Sequence, residues 1–239
     1  MKILLLSAFI LSLCSCKSET KERDIPSKTL DRDSTYYQVA LLIMDGVYNT
    51  ELTAPMDIFQ HTRYREGIKA MQVFTVAQEV KEIISFEGLR IIPDYSFTNH
   101  PAIDILVVPS AEHHLDSDLD NITLIDWVKK VDKDALFVTS HCDGAFILAK
   151  AGLLDSYYST TFPSDVQAYK EMFPQLRVKE DVLFVHDGKY ITSAGGARSF
   201  DAALYLCEHL YGPEVAKRLA GGLVIDWNLD EVAHFTNEN

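Results

Sequence analysis

Cysteine is scarce in this chain, four in 239 residues. Two of the four, Cys14 and Cys16, fall at the start, leaving only Cys142 and Cys207 for the body of the protein. That excludes a small scaffold built on a disulfide framework. Long hydrophobic runs are also missing. The longest apolar stretch near the start, Ile3 to Leu13, is about half of the roughly 20 residues that a bilayer-spanning helix needs. Basic residues are outnumbered 22 to 35, for a formal charge of −13. A nucleic-acid partner, whose backbone demands a basic face, is therefore not expected. Glycine and proline, 11 and 8 residues, are too few and too dispersed to mark a linker, and no internal repeat divides the chain.

What is present begins with a segment outside the fold. Lys2 followed by the apolar stretch to Leu13 has the form of a secretory signal. Leu13-Cys14-Ser15-Cys16 then resembles the lipobox of bacterial lipoproteins, which implies lipidation at Cys16. An ordinary cleaved signal with incidental cysteines is the alternative. Lys17 to Ser34 is mostly charged or small and cannot bury enough surface to offset ordering entropy. The expected organisation is a signal peptide and lipidated cysteine over 1–16, a tether over 17–36, one domain over 37–227 and a C-terminal tail over 228–239. The implied location is the cell envelope, lipid-anchored to a membrane and facing the periplasm or the surface.

Within the domain, Val39 to Met44, Ile103 to Pro109 and Ala135 to Val138 are continuous apolar runs, as in parallel strands buried on both faces. Amphipathic stretches lie between them. Leu52, Pro55, Met56 and Phe59 share one helical face, as do Ile122, Ile125, Val128 and Val131. Phe200, Ala203, Leu204, Cys207 and Tyr211 form a third stripe, which makes Cys207 a small core residue. Val182 to Val185 and Tyr190 to Thr192 flank Asp187-Gly188, a hairpin signal. Val73 to Val76 and Leu89 to Ile92 are expected to form a second antiparallel pair. The pattern predicts an α/β three-layer sandwich with a mostly parallel central sheet. Chemistry in such sheets collects at the carboxyl ends of the strands, in the loops after Met44, Val108 and Thr139.

One of those loops carries reactive residues. A buried strand runs through Thr139 and Ser140 into His141-Cys142-Asp143-Gly144 and directly into a helix. So abrupt a turn forces its apex residue into a strained backbone and lifts that side chain above the sheet. Gly144 would let helix and strand approach closely. The helix N-terminus is expected to favour thiolate at Cys142. This is the architecture of a nucleophile elbow with cysteine at its apex.

The segment resembles the nucleophile region of the ThiJ/PfpI superfamily, and the likeness extends from about Gln38 to Trp227. Gly46 to Phe59 is similar to the family's first loop and helix, which places its acidic residue at Glu51. Gly152 to Asp155, Thr160-Thr161, Asp187 to Gly195 and Asp201 to Leu204 resemble later segments. The resemblance implies a flavodoxin-like, class I glutamine amidotransferase-like fold. It is nearest the branch of isonitrile hydratases and of the amidotransferase-like domains of AraC-type regulators. A regulator would need a helix-turn-helix module after the domain, and a lipoprotein has no access to DNA, so that subclass is not expected. Family members are commonly dimers, which makes a homodimer possible.

The family comparison also shows departures. Asp143 replaces the histidine or threonine that follows the cysteine in relatives, and His141 precedes it. The family's Pro-Gly-Gly reads Pro109-Ser110-Ala111, whose backbone amides could still stabilise an oxyanion. The expected site is therefore Cys142 as nucleophile, Glu51 as proton donor or acceptor, and Asp143 with the Ser110 and Ala111 amides as charge stabilisers. Plausible reactions are hydration or hydrolysis of a small molecule at a nitrile-like, amide or aldehyde carbon. A non-catalytic binding or redox-responsive protein with an oxidisable Cys142 is the alternative. His113-His114 with Asp116, Asp118 and Asp120 reads as a solvated acidic loop, and Gly195-Gly196-Ala197 as a turn before a helix. No metal or cofactor is implied.

Overall fold

The computed structural model of the chain describes residues 35–237. Cys16, the lipobox and all of the tether up to Ser34 lie outside them. In chain order the strands are β1 (Tyr37–Leu42), β2 (Met71–Ala77), β3 (Ile83–Ile84), β4 (Arg90–Ile91), β5 (Tyr95–Ser96) and β6 (Ile105–Val108). They continue with β7 (Phe137–His141), β8 (Tyr158–Ser159), β9 (Arg177–Val178), β10 (Phe184–Asp187), β11 (Tyr190–Ser193) and β12 (His234–Asn237). The helices are α1 (Asn49–His61), α2 (Ile122–Asp132), α3 (Gly144–Lys150), α4 (Val166–Met172), α5 (Ser199–Tyr211) and α6 (Pro213–Gly221).

Eight strands form one sheet in the order β12-β10-β11-β7-β6-β1-β2-β5. Every neighbouring pair is parallel except β10 and β11. The cause is legible strand by strand. Along β1, Ala40 and Leu42 point to one face and Val39 and Leu41 to the other, and all four are buried. One face packs on α2, α3 and α4 through Leu124, Val128, Phe146 and Tyr169. The other packs on α1, α5 and α6 through Ile58, Phe59, Leu204, Cys207 and Leu219. Each such side chain contributes about 1.5–3 kcal/mol by leaving water. The expected three-layer sandwich is the observed one. Cys207 is wholly buried in the α5 core, and both Cys142 and Cys207 are free thiols.

Three expectations are corrected. Met71–Ala77 is not half of an antiparallel pair; it is a buried parallel strand between β1 and β5. Residues 89–92 could not partner it, because that segment is largely exposed and pairs only with Ile83–Ile84. Ile122 does not join the α2 stripe. It is the first helical residue and 73% exposed, after Asn121, whose side chain caps the Leu124 amide. The fold also runs past Trp227: His234–Asn237 pairs with β10 in the main sheet, so the segment from 228 is not a loose tail up to Asn237. The 184–193 hairpin forms as expected, with Asp187 opposite Tyr190. Among the described residues, no helix is long and apolar enough to cross a membrane.

Candidate active site

Cys142 follows the last residue of β7, and its amide is still held by Ser193 of β11 at 2.9 Å. Its φ is +53°, a conformation a side-chain-bearing residue adopts only where the surroundings enforce it. Two glycines make the enforcement possible. A Cβ on Gly144 would lie 2.1 Å from the Val108 carbonyl oxygen, so only glycine lets α3 start against β6. A Cβ on Gly195 would lie 2.3 Å from the Cys142 Cβ, so only glycine lets the turn after β11 pass the elbow. The strained apex expected from the sequence is therefore present.

The loops after β1 and β6 are joined beside it. Tyr48 donates its amide to Ser110 at 3.0 Å, Glu112 donates to Gly46 at 3.1 Å, and Val47 bridges Ala111. This brings α1 to the sulfur. Glu51 lies in the first turn of α1 rather than on the preceding loop, where the helix N-terminus favours a carboxylate. Its Oε2 accepts the Ser110 amide and its Oε1 the Gly196 amide, each at 3.0 Å. The Gly195-Gly196 turn is thus an anion-binding turn whose anion belongs to the protein.

That arrangement corrects the proposed oxyanion hole. The Ser110 amide is taken by Glu51, and the Ala111 amide donates to His114 Nδ1 at 3.2 Å. His114 is itself buried, not part of a solvated loop. Burial pushes its pKa down to about 3, against a raising contact with the Asp143 backbone, so it is neutral and accepts at Nδ1. Neither backbone amide is free for a substrate.

Asp143 has a larger part than expected. It occupies the N-cap position of α3, where aspartate commonly caps the helix, yet its side chain makes no cap hydrogen bond. It turns to the site instead. The Cys142 thiol donates to its Oδ2 at 3.5 Å, and the Thr161 hydroxyl lies 3.1 Å from its Oδ1 and from the Cys142 carbonyl. Burial, then the charge of Asp165, raises its pKa to about 6, while the Thr161 and Cys142 contacts hold it down. Glu51 is also raised, by burial, against the opposing amides of Gly196 and Ser110. The thiol is pushed well up, first by burial and then by the charges of Glu51 and Asp143. Three acids in one closed cleft cannot all ionise, so the resting sulfur keeps its proton, and the thiolate expected from the helix terminus is not the resting form.

No histidine hydrogen-bonds the sulfur among the described residues. His141 points away, with Nδ1 2.9 Å from Ser193 Oγ, and burial lowers its pKa to about 3. Nor do any three of His, Cys, Asp or Glu among the described residues gather as a metal-binding group. Tyr48 and Thr161 join the site without a role foreseen in the sequence. Tyr48 packs on Phe86 with ring centroids 4.6 Å apart, and its phenol is raised by burial and by the nearby Cys142. Open volume and chemistry do not coincide. A cleft of about 450 Å³ lies at the opposite end of β7, by Phe137 and His186, whereas one of about 330 Å³ reaches Thr161. The chemistry, not the volume, marks the site.

A mostly parallel sheet covered by helices on both faces, with cysteine at a positive-φ strand-to-helix turn, defines a class I glutamine amidotransferase-like protein. The chain belongs to the DJ-1/PfpI family, which it matches over residues 37–209. It is 28% identical over 183 residues to an isonitrile hydratase from Pseudomonas putida, covering 75% of each chain. It is 36% identical over 102 residues to the HTH-type transcriptional regulator CdhR from Pseudomonas aeruginosa, over 43% of this chain and only 30% of the regulator. A crystal structure of a ThiJ/PfpI family protein from Pseudomonas syringae superposes with a TM-score of 0.68 at 21% identity, covering 85% of this chain and 84% of that one.

Proposed function

We propose that the chain is a cysteine-dependent hydratase or hydrolase acting on a small molecule at an electrophilic carbon. The observation that carries this reading is the Cys142 thiol held at an elbow, 3.5 Å from the Asp143 carboxylate. A carboxylate with pKa near 6 is ionised at neutral pH and well matched to accept a proton. Asp143 takes the thiol proton as sulfur adds to the carbon and returns it to the adduct, to the nitrogen or oxygen that receives a π pair in a nitrile or carbonyl, and to the attacked carbon itself in an isonitrile. Water then adds to the same carbon and gives one proton to nitrogen, the carbon–sulfur bond breaks as a C=O forms, and the second proton returns to sulfur. An amide first releases its protonated amine to leave a thioester, whose water step gives the acid. Glu51, bound to two amides, holds the Ser110 loop and the Gly196 turn around the reacting atoms.

The likeness to an isonitrile hydratase supports testing small alkyl isonitriles first, then nitriles, amides and aldehydes. Product formation followed by NMR should be lost in Cys142→Ser and Asp143→Asn. Absence of turnover by the wild type across this panel would favour the second reading, a binding or redox-responsive protein. That reading is supported by the 7% exposure of Cys142 and the lack of a histidine at its sulfur.

We also propose that Cys16 is lipidated and anchors the domain to a membrane of the cell envelope. Cys16→Ser should then shift the protein out of the membrane fraction; unchanged fractionation would rule the anchor out. A homodimer is supported by apolar side chains exposed around the β3–β4 ribbon, Ile84, Phe86, Leu89 and Ile92. The charge of −13 supports a partner other than nucleic acid.

A further inference from the structure

Ser110 carries a hydroxyl that the rest of the site leaves unexplained. The residue is wholly buried, and its Oγ has no hydrogen-bond partner. A buried hydroxyl without a partner costs about 1–3 kcal/mol, so its persistence calls for a reason. The position supplies one. Ser110 lies at the carboxyl end of β6, beside the strand that ends in the elbow, and its backbone is fixed on both sides. Its amide donates to Glu51 and its carbonyl accepts from Tyr48. The Val108 and Pro109 carbonyls press against Gly144, where an added Cβ would lie 2.1 and 3.1 Å from them. The loop carrying Ser110 therefore runs along the elbow, and the buried, unpartnered Ser110 hydroxyl favours the Cys142 thiolate, as does the Asp143 amide. The backbone amides of Ser110 and Ala111 cannot take this part, since both are occupied.

We propose that the Ser110 hydroxyl is the donor that stabilises the anion at this site, first the Cys142 thiolate and then the substrate heteroatom. In the addition step the sulfur–carbon bond forms, a π pair of the substrate moves onto nitrogen or oxygen, and the thiol proton passes through Asp143 to that atom. Ser110 donates a hydrogen bond throughout and is unchanged at the end. A side chain thereby does at this position what a free backbone amide would otherwise do. The substrate class it selects has a heteroatom that takes up the π electrons of the attacked carbon, as in a carbonyl or a nitrile. This inference rests on Cys142 being the nucleophile, and the test separates the two.

Alkylation of Cys142 by iodoacetamide is followed from pH 6 to 9.5 for the wild type, Ser110→Ala, Ser110→Gly and Asp143→Asn. Protection by propanal, which adds reversibly to the thiol as a thiohemiacetal, is measured alongside. A hydrogen bond to a charged atom corresponds to roughly ten-fold or more in an equilibrium. Both Ser110 variants should therefore alkylate about ten-fold more slowly at pH 7.5, with the curve shifted to higher pH and propanal protection weakened by a similar factor. Asp143→Asn, which removes a charge beside the sulfur, should shift the curve to lower pH. Ser110 curves that superimpose on the wild type while Asp143→Asn shifts would overturn the role of the hydroxyl alone. A slowing in Ser110→Ala but not in Ser110→Gly would overturn it too, since both lack the hydroxyl. If all three variants superimpose on the wild type, the reading of the Cys142 cluster fails with it.

Discussion

Replacing Glu51 with glutamine changes two quantities, and the structure gives each a sign. The carboxylate serves two amide donors, Ser110 at Oε2 and Gly196 at Oε1, each at 3.0 Å. Glutamine has one oxygen and one group that only donates, so it can satisfy one amide and must meet the other donor to donor. Hydrogen bonds to a charged group contribute about 1.5–3 kcal/mol, and a buried N–H left unpaired costs about 1–3 kcal/mol. Relief of burying the charge offsets part of that, leaving a net loss of about 2 kcal/mol. For a domain of this size each kcal/mol moves Tm by about 2–4 °C, so Tm should fall by about 4–8 °C. The thiol responds in the opposite sense. The Glu51 charge is one of the causes that raise its pKa, after burial. A nearby like charge shifts a pKa by about one unit or more. While the thiol pKa stays above the assay pH, one unit is roughly a ten-fold change in thiolate. Glu51→Gln should thus be less stable yet alkylate several-fold faster at pH 7.5, read by circular dichroism melting and iodoacetamide kinetics. Slower alkylation would refute this electrostatic account, because it would mean that Glu51 is protonated and donates to a resting thiolate.

Asp143→Asn tests the neighbouring carboxyl through pH. The folded pKa of about 6 lies above the ordinary 3.8, so the folded state binds this proton more tightly, and the stabilisation is full below pH 4 and lost as pH rises through 6. At about 1.4 kcal/mol per unit, the variant should gain about 3 kcal/mol on the wild type between pH 4 and 7 in urea unfolding; a pH-independent difference would contradict it. Gly144→Ala and Gly195→Ala should each destabilise by more than about 4 kcal/mol or fail to fold, since the added Cβ meets backbone or the elbow itself. Gly221→Ala, where nothing lies within 4 Å, should be neutral or stabilising in the same melting assay. Cys142 should alkylate in the native state and Cys207, wholly buried, only on unfolding; equal native rates would contradict the packing of α5.

Strands buried on both faces were legible because their apolar runs are uninterrupted, as in Leu41-Leu42 and Leu106-Val107-Val108. Met71–Ala77 has the same character, but a second apolar segment downstream, 89–92, suggested a hairpin. Only burial separates the two segments: Val73 and Phe74 are enclosed, whereas Leu89 and Ile92 are 51% and 56% exposed. The edge strand His234–Asn237 gave no signal, being short, polar and half-buried. Its place is set by the β10 strand it pairs with, not by its own residues.

The elbow was legible because its causes are local: a strand, an apex residue, a glycine and a helix fall within one stretch of chain. The amides that bind Glu51 were not, because they belong to residues 59 and 145 positions away. No spacing rule reaches so far, so Ser110 and Ala111 looked free when both amides were engaged. The resting state of the sulfur was not legible for a different reason, one of magnitude. A helix N-terminus contributes about 0.3–1 kcal/mol, up to about 2 kcal/mol in partly buried geometries. Burial alone can shift a group by as much as about 3–5 pKa units, or about 4–7 kcal/mol. α3 has seven residues, and Cys142 is 7% exposed with two carboxylates against it. The larger effect wins, and it gives the acids beside the sulfur, Glu51 and Asp143, their purpose: a sulfur that rests protonated needs a base beside it, and Asp143, freed from capping its own helix, is in place to be that base.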